Sequence, residues 1–81
     1  MLLDFDIHPD RFTARASGEV RWNDRLLLSD LVAAMRRSTA EEFVLDARLC
    51  SERDKGSLLG IAATAERMAR SDGKSFRWVA A

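Results

Sequence analysis

Apolar residues at Phe43, Leu45, Ala47 and Leu49 alternate with Val44, Asp46 and Arg48, and this period of two predicts a strand over 43–49. The period then changes. From about Glu52 or Lys55 to Arg70, Leu58, Ile61, Ala62, Ala65, Met68 and Ala69 recur at helical spacing, with Glu66, Arg67 and Arg70 left for water. Ser71-Asp72-Gly73-Lys74 predicts the helix stop, because glycine tolerates the left-handed conformation found there. Between strand and helix lies a corner of polar and small groups, Cys50-Ser51-Glu52-Arg53-Asp54-Lys55-Gly56. In α/β sheets ligands and partners are met beyond the carboxyl ends of the strands, so this corner is the candidate functional site.

The flanking pattern completes the fold. Leu2, Leu3, Phe5 and Ile7 fall in near alternation with Asp4, Asp6 and His8, and Pro9-Asp10 follows as a turn signal, predicting a first strand over 2–8. Weaker alternation from Phe12 to Val20 predicts a second strand, antiparallel to the first. Asn23 or Asp24 can cap a helix carrying Leu27, Leu28, Leu31, Val32 and Met35 inward. Phe76 to Ala80 reads as a last strand. The expected order is β-β-α-β-α-β: an α/β (α+β) fold with a four-stranded mixed sheet and both helices on one face. A ferredoxin-like arrangement would need two strands between the helices, and only one strand-like run lies there.

Composition narrows the function. The 81 residues allow one domain spanning 1–81, with 47% hydrophobic and 32% charged residues. Thirteen acids balance 13 bases, so no global field draws the chain to nucleic acid or an anionic membrane. No apolar run is long enough to span a bilayer, and the first residues are acidic where a secretory signal would be basic, so a cytoplasmic location is expected. With one cysteine and one histidine there is no internal disulfide and no ligand set for structural zinc. No cofactor is expected.

Gly18-Glu19-Val20 after a strand, the strand Phe43-Val44-Leu45-Asp46-Ala47, the run Arg53-Asp54-Lys55-Gly56-Ser57-Leu58-Leu59 opening a helix, and Arg70 to Val79 closing it resemble the STAS domain of anti-sigma factor antagonists. The resemblance runs from about Phe12 to Val79 and lies more in spacing than in identities. It implies a non-enzymatic bacterial signalling module that binds a protein partner, such as an anti-sigma factor with kinase activity. In that family a serine or threonine at the start of the corresponding helix is phosphorylated. Asp54 falls at its place here, so the usual switch is expected to be absent, and one carboxylate charge imitates a phosphoserine only in part. The chain also ends after its fourth strand, where family members usually continue.

The residues bet on for partner binding are Ser51, Arg53, Asp54, Lys55, Gly56 and Ser57, with no catalytic and no metal-binding residues. Asp54 has a second, compatible reading, since Ser51 followed by an acid three residues on matches a helix cap. Gly56 and Gly60 give the helix a lean side, for which close packing inside the fold is favoured over a dimer face. Trp22 reads as an exposed aromatic and Trp78 as core. His8 reads as solvent-facing. Two further functions compete with the interaction module. One is a small enzyme using Cys50, for which a small buried thiol is the simpler reading; the other is a structural homo-oligomer subunit, for example a homodimer, joined through a sheet edge or the uncovered sheet face.

Overall fold

The computed structural model describes residues 1–21 and 26–81. The elements are β1 (Leu2–Ile7), β2 (Arg11–Ser17), α1 (Leu26–Arg37), β3 (Glu42–Leu49), α2 (Glu52–Ser71) and β4 (Ser75–Val79). The β-β-α-β-α-β order is the expected one. Trp22 and the proposed caps Asn23 and Asp24 lie outside the described residues.

The four strands form one sheet in the order β1-β2-β3-β4. β1 and β2 are an antiparallel hairpin closed by the Pro9-Asp10 turn, in which the His8 N–H donates to the Arg11 carbonyl at 2.9 Å. β2, β3 and β4 are parallel, and each parallel step is bridged by a helix because parallel neighbours cannot be joined by a tight turn. β2 ends at Ser17, short of the expected Val20. Gly18 takes a positive φ of 82° there and turns the chain out of the sheet.

Both helices cover the same face. Phe12 and Ala14 of β2 and Phe43 and Leu45 of β3 form one core cluster with Leu31, Ala34 and Met35 of α1 and Ala62, Ala65 and Ala69 of α2. The alanines let α2 lie close to the sheet, so its buried stripe is thin and Ile61 and Met68 are only half-buried. On α1 the buried residues are Leu31, Ala34 and Met35, while Leu27, Leu28 and Val32 sit on the flanks. The inner line therefore runs through Ala34, which allows the same close approach. A second cluster at the carboxyl end of the parallel strands joins Ala16, Ala47, Cys50 and Leu58. Trp78 is half-buried and packs against both clusters.

The C-terminus of α2 shows why the chain turns where the pattern said it would. Gly73, with φ 72°, follows the C-cap Asp72; its N–H donates to the Arg70 carbonyl at 3.0 Å and the Lys74 N–H donates to Ala69 at 2.8 Å. These two bonds are the Schellman pair, and they satisfy carbonyls that the helix end leaves open. β4 then starts at once.

Candidate functional site

The corner at the carboxyl end of β3 is organised by Ser51 and Asp54. Ser51 is extended at φ −66°, ψ 162° and caps α2, its hydroxyl accepting from the Asp54 N–H at 3.2 Å. The same hydroxyl donates to Asp54 Oδ2 at 2.8 Å. Asp54 Oδ1 accepts from the Val20 N–H at 3.1 Å. Both carboxylate oxygens are therefore occupied, and Asp54 is only 8% exposed. The Val20 N–H first, and then the Ser51 hydroxyl, hold its carboxyl below the usual carboxylate range.

This arrangement divides the six residues chosen from sequence. Ser51 and Asp54 are engaged with each other and with Val20. The Lys55 ammonium pairs with Glu52 at 3.0 Å, its side chain only 15% exposed. Arg53, Gly56 and Ser57 face water on the first turns of α2, with the Ser57 hydroxyl donating back to the Arg53 carbonyl at 3.3 Å. Leu59 continues that exposed surface at 56%, and Leu49 stands exposed at 71% where β3 ends. Sequence reasoning placed neither leucine at the corner.

The glycines correct an expectation. A Cβ built at Gly56 or at Gly60 meets no atom within 4 Å, so close packing inside the fold is not what keeps either residue small. Both lie on the solvent side of α2. The bare strip they leave faces outward.

Cys50 is buried, and its Sγ lies 3.5 Å from the Ala16 carbonyl, to which the thiol donates. Burial first, and then the Asp54 charge, push its pKa up, so the thiol stays protonated at neutral pH. His8 lies at the other end of the sheet, in the turn that closes β1 and β2, and pairs with Asp6 at 3.1 Å. Among the described residues no group of three or more His, Cys, Asp or Glu side chains is placed to hold a metal. No described helix is long and apolar enough to cross a membrane.

The sheet face turned away from the helices is a second ordered surface; sequence reasoning named it as an uncovered face but not the charged residues it gathers. Strand registry brings Asp4 and Asp6 of β1, Arg11 and Arg15 of β2, Glu42, Asp46 and Arg48 of β3, and Arg77 of β4 onto that face. Arg15 reaches Asp6 and Asp46 at 3.9 Å each, Arg11 reaches Glu42 at 3.5 Å, and Arg77 reaches Glu42 at 3.3 Å. Asp46 is 6% exposed and accepts from Arg48 through the backbone N–H, Nε and Nη2 at 2.8–3.0 Å. Arg48 is accordingly the main cause that holds the Asp46 carboxyl low. A hollow of about 280 Å³ lies between Arg11, Arg15, Arg48 and Arg77, with Val44 beneath it. The signal was an acid or arginine recurring at alternate positions of the strands, such as Asp4 and Asp6, Arg11 and Arg15, and Asp46 and Arg48.

No protein-family model matches this chain, and neither a curated protein nor a solved structure matches it.

Proposed function

We propose that this protein is a non-enzymatic interaction module of the STAS kind, binding a protein partner through the corner 51–57 and the exposed side of α2. The observation that carries this reading is the bare strip on α2. Gly56 and Gly60 each cost the helix about 1 kcal/mol relative to alanine, and no internal contact offsets that cost. A partner backbone approaching the strip would account for them. Arg53 and Ser57 flank the strip, and Leu59 offers an apolar contact beside it.

Asp54 takes a structural part in this reading. Its carboxylate, at the place where the STAS resemblance puts a phosphorylated hydroxyl, is turned onto Val20 and Ser51. It fixes the corner in one shape, and the outward-facing Arg53, Gly56 and Ser57 make the contact. Pre-ordering of this kind lowers the entropic cost of binding. An anti-sigma factor or a related kinase-like protein is the class of partner that the resemblance proposes, and a cytoplasmic location goes with it. The burial of Cys50 and its raised pKa favour this reading over an enzyme built on that thiol.

The test is affinity capture from native cell extract with tagged wild type beside Gly56→Trp and Asp54→Ala, read by mass spectrometry. Circular dichroism checks folding first. A specific protein retained by wild type and lost with Gly56→Trp supports the reading. A partner captured equally by wild type and folded Gly56→Trp places the interaction elsewhere and overturns it.

A further inference from the structure

The helix-free face of the sheet carries a charge pattern with a symmetry of its own. Across the strand order β1-β2-β3-β4 the columns run acid, base, acid, base: Asp4 and Asp6, then Arg11 and Arg15, then Glu42 and Asp46, with Arg48 folded onto Asp46, then Arg77. The registry also sets them in rows. Arg15 is level with Asp46, Arg11 with Glu42, and Asp6 with Arg77 through Thr13 and Val44.

From this pattern we infer that the open face docks on a second copy of the same face. A two-fold axis that stacks the two faces with their strands aligned runs either across the strands or along them. Across the strands, each column meets itself, acid on acid and arginine on arginine. Along the strands, between β2 and β3, β1 meets β4 of the second copy and β2 meets β3. Arg11 then faces the acid at 42 of the second copy and Asp6 faces the arginine at 77, each pair occurring twice, while Arg15 faces the Asp46–Arg48 pair. Of the two, only this axis is complementary, which is the condition an isologous interface must satisfy.

Two further observations fit a second copy better than a polyanion. Four acids and four arginines balance on this face, so it carries no net attraction for phosphate backbones. The intrachain pairs are also loose. Arg11, Arg15 and Arg77 remain about half-exposed and sit at 3.3–3.9 Å from their carboxylates, leaving donors for a second acceptor. Val44 is 6% exposed on this face, so the arginines already cover the apolar floor. With strands about 4.8 Å apart and about 3.3 Å of rise per residue, the face offers roughly 400 Å² per copy. That is the size of a weak, reversible contact, so association is sought up to millimolar concentration.

The experiment is sedimentation equilibrium at low ionic strength on wild type, Asp6→Arg, Arg77→Asp and an equimolar mixture of the two variants. Both substitutions are at surface side chains, 45% and 58% exposed. The expected result is twice the single-chain mass for wild type, the single-chain mass for each variant alone, and recovery of the double mass on mixing, because position 6 of one chain then faces an opposite charge at 77 of the other. Each variant also loses intrachain pairs, Asp6 those with His8 and Arg15, and Arg77 that with Glu42, but only an interchain contact is restored by mixing. Arg11→Glu with Glu42→Arg repeats the test on the second facing pair. A wild type that stays at single-chain mass up to millimolar concentration overturns the inference, as does a dimer that persists in both variants or a mixture that fails to associate.

Discussion

The Val20 N–H donates to Asp54 Oδ1 at 3.1 Å across 34 positions of chain. This bond pins the segment leaving β2 to the first turn of α2, and so ties together the two crossovers of the sheet. It also explains why an aspartate suits this position. An oxygen acceptor with a short side chain reaches both the Ser51 hydroxyl and a backbone N–H, and the carboxylate gains from the positive end of the helix. Asp54→Ala is expected to lower stability and to speed hydrogen exchange of the Val20 amide, while Asp72→Ala leaves that amide unchanged. Amide exchange followed by NMR reads both.

Acid should unfold this protein in a window set by two carboxylates. Asp46 and Asp54 both have folded-state pKa values below their unfolded ones. Their contribution is therefore fully present above an unfolded value of about 4 and is lost as pH falls through the folded values. Urea midpoints are expected to be flat from pH 7 to about pH 5 and to fall below about pH 4. Asp46→Asn, which removes one of the two groups, should make that fall shallower. Unchanged acid dependence in this variant would count against the role given to Arg48.

The capping hydroxyl of Ser51 gives a further stability test. It accepts from the Asp54 N–H and donates to the Asp54 carboxylate. Ser51→Ala is expected to cost about 1 kcal/mol, measured as a lower urea midpoint with an unchanged slope. Ser51→Asp keeps an acceptor for the N–H but sets a second carboxylate against Asp54, so it should recover little of that loss.

Two glycines should respond to alanine with opposite signs. Gly60 is an ordinary helical residue whose Cβ would meet nothing, so Gly60→Ala should stabilise by about 1 kcal/mol, roughly 4–8 °C in Tm for a domain of this size. Gly73 holds φ at 72°, where a Cβ crowds the following carbonyl. Gly73→Ala should cost about 1–2 kcal/mol. Thermal melts of the two variants settle it, and a Gly60→Ala protein that melts lower would mean that the glycine does serve the fold.

Cys50 should react slowly with a thiol reagent in the native state, since the thiol is buried and its pKa is raised. At neutral pH the rate is expected to rise by orders of magnitude on adding denaturant. Rapid native reaction would reopen a chemical role for this residue.

The elements and their order were legible in the residue pattern alone. Periods of two and of three to four are set by which side of each element must leave water, and they are legible because burial acts on single residues. The stop at Gly73 and the cap at Ser51 were legible for the same reason, since a helix end makes local demands on the backbone. The corner 51–57 could be found as a place but not as an arrangement. That Ser51 and Asp54 turn inward while Arg53, Gly56 and Ser57 face out depends on Val20, which meets Asp54 only after the sheet has formed. The charged face was decided later still. Asp6, Arg15, Glu42 and Arg77 are unremarkable polar positions within their own strands, and they become an alternating surface only when registry sets β1 to β4 side by side. Registry couples residues across the whole chain, and tertiary pairing alone decides it.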